Sequence, residues 1–364
     1  MIKNIILYEN KVNLITLNYK SIKSLLYLIK SKKKYAEYIF KWIHKYKITN
    51  IMLMTNISKF LRFKLSTICD IHLIKIINER ISIDNTVKWL FKINNNYIET
   101  IAISNKKKKF TLCISSQIGC MLNCSFCYTA KYGFFKNLTT QNIISQIFIA
   151  ENRLVKLFPK NNNITNIVIM GMGEPLLNTK NIITSLEIIN NKYAYNISKK
   201  KITLSTSGII PEFKTLMKHK IPIAISLHAT NNKLRSELMP INRKYNIESL
   251  LTECKKYCND NRITIEYILI KNINDTKEHA LKLLKLLKNI KCKVCLIPFN
   301  SFNNSIYISS NIKNIINFQS ILKKSNIITT IRKSKGSNID AACGQLSENS
   351  KNKIIKSKYF INAL

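Results

Sequence analysis

Apolar residues follow two rhythms along the chain, and the rhythm changes near residue 81. Upstream, Ile22, Leu25, Leu26 and Ile29 recur at spacings of three and four, as do Tyr38, Ile39, Trp42 and Ile43. That spacing gathers side chains on one face of a helix, and lysines fall on the opposite faces. The pattern predicts a small basic helical domain, helix-hairpin-helix-like, over residues 1–85. Residues 81–104 instead alternate, with Val87, Leu90, Phe91, Ile93, Ile98 and Ile101 around a turn at Asn94-Asn95-Asn96. This predicts a β-hairpin linker over 86–109. It ends in the charge run Lys106 to Lys109, read as a solvated loop. From Phe110 onward short apolar runs alternate with amphipathic stretches. Strands are expected near 111–115, 165–170, 202–206, 223–228, 263–269 and 293–297. Helices are expected near 140–157, 179–191, 211–219, 246–258, 275–288 and 311–324. Strand-then-helix repetition is the mark of a parallel sheet with right-handed crossovers. The expected fold is therefore α/β, an open six-fold (β/α) partial barrel over 110–345. The helical domain and β extension precede it, and a polar basic tail over 346–364 follows. In such barrels chemistry gathers at the C-terminal ends of the strands.

Composition sharpens this. The chain has 364 residues, 46% hydrophobic, which suffices for a large buried core. Its formal net charge is +40, with a sequence pI near 9.9. Such an excess suits a polyanionic partner, nucleic acid above all. Part of it reflects the crowding of Ile, Asn and Lys that an AT-biased genome produces. No apolar run is long enough to span a bilayer, and Met1-Ile2-Lys3-Asn4 leads into no signal-peptide pattern. A cytoplasmic protein without membrane partners is expected. Ten cysteines in such a chain argue for metal or redox chemistry over a disulfide scaffold. Glycine is scarce and absent before Gly119, so each one marks a place where the backbone needs it.

Candidate chemistry clusters at the expected strand ends. Cys120, Cys124 and Cys127 stand in a C-x3-C-x2-C spacing. Three thiolates on one loop suit a 4Fe–4S cluster and leave one iron open. Zinc, the first rival, favours four ligands in separated pairs. Inert buried cysteines are the plain alternative. Gly171-Met172-Gly173-Glu174-Pro175 follows the strand Ile167–Met170. Its glycines allow close backbone approach to a ligand, and Glu174 can accept from an ammonium or hydroxyl group. Ser205-Thr206-Ser207-Gly208, Ser226-Leu227-His228 and Asn300 end later strands. Singly, each reads as a cap or turn residue; around one barrel mouth they favour a ligand. Cys343 lies between small residues beside Gly344, on what reads as a mobile loop. Cys113 lies on the first barrel strand. Cys254, Cys258, Cys292 and Cys295 are left over as a candidate second metal site. On a strand, however, Cys292 and Cys295 face opposite sides, which is poor geometry for one ion.

These segments together resemble the radical S-adenosylmethionine (SAM) superfamily. Within it, the chain is similar to the enzymes that methylate carbon 2 of adenine in large-subunit ribosomal RNA and in tRNA. The likeness is carried by Thr111 through Cys120, Cys124 and Cys127, Gly171–Pro175, Ser205–Gly208 and Ser226–Ala229. It continues through Met239-Pro240-Ile241-Asn242, Leu296-Ile297-Pro298 and Asp340–Leu346. The resemblance implies one 4Fe–4S cluster on Cys120, Cys124 and Cys127, with SAM on the open iron. Gly173, Glu174, Ser205, Ser226, Leu227, His228 and Asn300 would complete the SAM site. It also implies a two-stage reaction that consumes two SAM per turnover. Cys343 takes a methyl group from the first SAM by substitution. A 5′-deoxyadenosyl radical from the second abstracts hydrogen from that S-methyl group, and the carbon radical adds to the adenine. Glu99 would remove the carbon 2 proton. Cys113 would attack Cys343, forming a transient disulfide bond and releasing the RNA. Carbon 2 lies between two ring nitrogens and is too electron-poor to attack a sulfonium methyl directly, which is why a radical is needed. The implied partners are 23S rRNA at the peptidyl-transferase centre, tRNAs at the adenine 3′ of the anticodon, and a flavodoxin- or ferredoxin-type electron donor. The alternatives are a carbon 8 adenine methyltransferase on the same fold, an RNA-binding protein with a relict cluster, and a radical SAM enzyme for a peptide or small metabolite.

Overall fold

A computed structural model describes residues 11–105, 109–160, 162–258, 262–302 and 305–346, together with the backbone of a short strand at 7–8. Lys106 to Lys108 of the charge run, and the tail beyond Leu346, lie outside the described residues.

The N-terminal part is helical where the three-four spacing says so. Helix α1 (Tyr19–Leu28) buries Ile22, Leu25 and Leu26, and α2 (Tyr35–Phe40) buries Ile39 and Phe40. The latter runs on through a wider-pitched turn over Lys41–Lys45. Helix α3 (Lys59–Ile68) buries Leu61 and Leu65. Each fully buried Ile or Leu contributes about 2 kcal/mol of transfer free energy. The stretch is not wholly helical, however. Strands β1 (Leu7–Tyr8), β2 (Lys11–Asn13) and β3 (Cys69–Asp70) form a small sheet. Strand β4 (Lys75–Ile81) belongs to the main sheet. As an edge strand β4 pairs only with β5 (Val87–Ile93) and is exposed along most of its length. No buried face imposes a legible alternation on it.

Strand β5 hairpins into β6 (Asn96–Ser104) through Asn94, whose φ is +54°. Strand β7 (Phe110–Ile114) then opens the parallel part of the sheet. A small hairpin, β8 (Gln117–Gly119) and β9 (Phe134–Asn137), frames the cysteine loop and the short helix α4 (Tyr128–Lys131). There follow α5 (Thr140–Leu157), β10 (Ile164–Ile169), α6 (Thr179–Asn190), β11 (Ile202–Thr206), α7 (Phe213–His219) and β12 (Ile223–Ser226). The chain continues through α8 (Asn232–Leu238), α9 (Ile247–Tyr257), β13 (Ile263–Leu269), α10 (Lys277–Leu287), β14 (Cys292–Pro298), α11 (Ile312–Lys324) and β15 (Thr329–Ile331). The order across the ten-stranded sheet is β15-β14-β13-β12-β11-β10-β7-β6-β5-β4. Pairings from β7 to β15 are parallel, and β6, β5 and β4 extend the β7 edge antiparallel.

The sheet is curled. Ile103 on β6, Cys113 on β7, Thr203 on β11, Thr264 on β13 and Thr330 on β15 all line one cavity of about 350 Å³. Laid flat at about 4.8 Å per strand, those strands would span roughly 30 Å, too far to share so small a space. Asparagine, which reads as compositional bias, has a structural use. Asn18, Asn231, Asn246 and Asn311 each accept a backbone N–H in the first turn of α1, α8, α9 and α11. Each such cap contributes about 1 kcal/mol. Among the described residues, no helix is long and apolar enough to cross a membrane.

Candidate active site

The cysteine loop is set by backbone geometry. Gly119 ends β8 with φ +72°, and a Cβ there would sit 1.9 Å from the Gly133 carbonyl oxygen. That same carbonyl accepts the Cys120 N–H at 2.8 Å, fixing the start of the loop. Asn123 takes a left-handed φ of +51° to turn the chain between the cysteines. Gly119→Ala is expected to lower stability by at least about 2 kcal/mol and to reduce iron uptake on reconstitution. An unshifted melting temperature with full iron loading would refute this close packing.

Cys120, Cys124 and Cys127 all line one cavity of about 170 Å³. Burial raises the pKa of all three thiols, so each awaits a cation to draw out its thiolate. Among the described residues no group of three or more His, Cys, Asp or Glu is set to hold a single metal ion. A 4Fe–4S cube offers a separate iron to each sulfur, and the three thiols on this one cavity supply such a set.

The strand ends form the rest of this cavity: Gly171 and Gly173 after β10, Ser205 on β11, and Ser226 and His228 at the end of β12. Gly173 has φ +97°, and a Cβ there would lie 2.4 Å from Gln117 Cβ. Glu174 is buried with its carboxylate accepting from the N–H groups of Leu176 and Ser207 at 3.0 and 2.8 Å. Burial outweighs those bonds and raises its pKa. His228 has φ +59° and its Nδ1 accepts the Ile268 N–H at 3.1 Å. Burial lowers its pKa to about 4, so the ring is neutral. Leu227 does not line the cavity. Its side chain is fully buried, its N–H donates to Glu266 O, and its carbonyl accepts from Arg235 Nε at 3.1 Å.

Arg235, on α8, is the organiser that the sequence does not reveal. Its side chain is fully buried and bonds to the carbonyls of Leu227, Ser226, Ser207 and Tyr245 and to Asn242 Oδ1. Burial lowers its pKa only to about 10, so it stays charged at neutral pH. It thereby pins the ends of β11 and β12. Arg235→Leu leaves those carbonyls short of a donor and is expected to cost about 3 kcal/mol in urea unfolding. A loss within 0.5 kcal/mol, roughly a surface effect, would contradict that role. Nothing in Asn232-Lys233-Leu234-Arg235 distinguishes it from a solvated basic turn.

The C-terminal segment closes the site. Cys343, exposed, lines both this cavity and the larger one inside the barrel, and Cys113 lines the larger one. Both are free thiols. Burial, and after it the nearby Cys343, pushes the Cys113 pKa up to about 12. The Cys343 loop, read from sequence as mobile, is tethered on several sides. Tyr128 N–H donates to Gly344 O, Thr129 Oγ1 to Leu346 O, and Asn300 Nδ2 to Cys343 O. Lys88 Nζ donates to Asp340 O, and Ser82 Oγ to Asn338 Oδ1. The β extension thus clamps this loop against the barrel mouth. Asn300 lines the larger cavity, and its Oδ1 accepts from Ser334 Oγ.

Glu99 lies on a third, small pocket of about 40 Å³ with Asn78, Arg80, Lys88 and Leu90, its carboxylate 3.1 Å from Lys88 Nζ. It shares a sheet face with Ile101, which pairs with Cys113. Two further residues escape the sequence reading. Arg332 follows β15, and its Nη1 lies 3.2 Å from Cys343 Sγ. Glu266 on β13 accepts from Arg332 Nη2 at 2.5 Å and from Ser205 Oγ at 2.6 Å. A lone carboxylate inside Ile263-Thr264-Ile265-Glu266-Tyr267-Ile268 is a signal that would have found it. Of the remaining cysteines, Cys295 lines the barrel cavity, while Cys292 borders a basic depression at the far end of the sheet.

Two family descriptions match the chain: "Radical SAM superfamily" over residues 114–287 and "Ribosomal RNA large subunit methyltransferase N-terminal domain" over 12–71. A solved radical SAM methyltransferase from Sphaerobacter thermophilus superposes with TM-score 0.85 at 34% identity, covering 92% of this chain and 98% of that one. The curled sheet, the three-cysteine loop and those matches define a radical SAM enzyme that methylates RNA. The relatives narrow this. The dual-specificity RNA methyltransferase RlmN of Buchnera aphidicola subsp. Cinara cedri (strain Cc) is 47% identical over 355 residues, 94% of this chain and 99% of its own. That of Buchnera aphidicola subsp. Schizaphis graminum (strain Sg) is 47% identical over 360 residues, 97% of this chain and 98% of its own. The chain belongs to the RlmN family of dual-specificity RNA methyltransferases. The family implies a 4Fe–4S cluster, SAM, an RNA substrate and a reductant.

Proposed function

We propose that the enzyme methylates carbon 2 of adenine in 23S rRNA and in tRNA, through an S-methylcysteine at Cys343 and a covalent protein–RNA intermediate. One observation carries this reading: the Cys343 loop borders both the cavity with the three cluster cysteines and the cavity that holds Cys113. A thiol so placed can take a methyl group on one side and be resolved from the other.

In this reading Cys120, Cys124 and Cys127 hold the cluster, which, when reduced by a flavodoxin- or ferredoxin-type donor, supplies the electron that cleaves SAM. Gly171 and Gly173 let the turn after β10 pack tightly against Ser115 and Gln117, and Glu174, Ser205, Ser226 and His228 orient the ligand's polar groups. Leu227 acts through its backbone, bonded to Glu266 and Arg235 behind the cavity, and Asn300 positions the loop through the Cys343 carbonyl. Two SAM molecules are consumed per turnover, one as methyl donor to Cys343 and one as radical source. Glu99, held by Lys88 beside Asp340, accepts the carbon 2 proton. Cys113 gives up its thiol proton and its Sγ attacks Cys343 Sγ. The C–S bond to the base breaks and a disulfide takes its place. The electron pair of the broken bond stays on the carbon, which takes a proton to become the product methyl group. The unpaired electron left by the radical addition returns to the flavodoxin- or ferredoxin-type partner. External reductant restores the thiols.

The test is to incubate reduced, reconstituted protein with SAM and either 23S rRNA or tRNA, digest the RNA, and identify the modified nucleoside by mass spectrometry. The reading expects 2-methyladenosine. Finding 8-methyladenosine instead would establish the carbon 8 alternative, and finding no methylated adenosine would overturn both.

A further inference from the structure

We propose that Arg332 is a catalytic residue: its guanidinium holds the Cys343 sulfur as the thiolate and aims it, with Glu266 and Ser205 fixing the guanidinium in turn. The proposal rests on the reading of Cys343 as methyl acceptor and goes beyond it by naming what makes that sulfur a nucleophile.

The geometry is a chain of fixed contacts. The Arg332 N–H donates to Leu296 O at 2.8 Å, which holds its backbone against β14. Nη2 meets Glu266 Oε1 at 2.5 Å, and Glu266 Oε2 takes the Ser205 hydroxyl at 2.6 Å. Both carboxylate oxygens are thus occupied and the planar fork cannot swing. Nη1 is left aimed at Cys343 Sγ, 3.2 Å away. A guanidinium does not give up its proton near neutrality and only donates. A neutral thiol is a poor acceptor and a thiolate a strong one, so this contact is complete only when the sulfur is anionic.

The step balances without any further reagent. The Cys343 thiol proton leaves to solvent, to which the residue is exposed. The sulfur lone pair then forms the bond to the sulfonium methyl carbon. The old carbon–sulfur bond breaks, and its electron pair stays on the departing, now neutral, sulfur. The product thioether is again a weak acceptor. Methylation therefore loosens the Arg332 grip on the loop at the stage when the methyl group must turn towards the base.

The test is the rate at which Cys343 in full-length reconstituted protein reacts with iodoacetamide, followed by peptide mass spectrometry. Arg332→Gln and Arg332→Lys are expected to slow labelling at neutral pH, the former by at least about tenfold, the size of one hydrogen bond to a charged group. The deficit is expected to close at alkaline pH, where the thiolate forms unaided. Buried Cys254 in the same protein reports intact folding by staying unlabelled. Wild-type labelling in either variant with Cys254 protected overturns the proposal, as does a deficit that alkaline pH leaves unchanged. A comparison that needs no variant adds to this: native Cys343 is expected to react several-fold faster at neutral pH than the same cysteine in the urea-unfolded chain, and a slower native rate overturns the proposal. S-methylation of Cys343 by SAM is scored separately. If labelling behaves as expected but no methyl group ever reaches Cys343, the methyl-acceptor reading fails while the thiolate-holding role of Arg332 stands.

Discussion

Cys113→Ala is expected to leave the enzyme joined to its RNA. If a methylene bridges Cys343 and the base, only attack by a second sulfur on Cys343 breaks it, and Cys113 is the thiol placed for that attack. It sits on β7, facing the cavity that Cys343 also borders. Burial first, and the neighbouring Cys343 second, push its pKa up to about 12, so Cys113 rests as a protonated thiol. The substitution itself removes a single sulfur from a cavity wall, so folding should survive. Turnover is expected to stop after one event, with a slower-migrating band on a denaturing gel that nuclease collapses to a nucleotide-sized remnant. Continued turnover with no such band would exclude Cys113 as the resolving thiol.

The parallel part of the sheet was legible because its strands are short β-branched-rich runs bounded by turn residues, such as Ile202–Thr206 and Ile263–Leu269. Their apolar positions are buried, while Thr203 and Thr264 face the cavity inside the barrel. Helix α5 was legible from Thr139 onward because an apolar stripe follows a capping residue. Strand β4 was not, since an exposed edge imposes no alternation. Strand β15 was not, since Thr329–Ile331 is too short to show a period. In the site, the residues at strand ends could be named from the rule that barrels work there. The charged side chains behind them could not. Arg235 and Arg332 look like any other base in a chain with 59 Lys and Arg, and only their tertiary partners distinguish them. Lys88 is hidden for the same reason, yet it links Glu99 to the Cys343 loop.

Cys124→Ala is expected to abolish iron binding and, with it, every RNA methylation event. Cys124 lies between Cys120 and Cys127 on one loop, and two remaining thiols cannot hold a cube against its loss to solvent and chelators. The loop itself should survive. Its turn is held by Gly119 and Asn123, and its far end by the Ser125 N–H on Leu238 O and the Tyr307 hydroxyl on Ser125 Oγ. Those bonds do not involve the Cys124 sulfur. Arg235, whose charge Cys124 favours, keeps its carbonyl partners. RNA affinity is expected to change less than about twofold and, in a chain with this excess of Lys and Arg, to show a steep salt dependence. Iron and sulfide analysis, the visible absorbance of the reconstituted protein and a filter-binding titration measure these separately. Iron loading near the wild-type level would remove Cys124 from the ligand set. Loss of RNA affinity in step with iron would mean that the cluster loop is itself part of the RNA-binding surface.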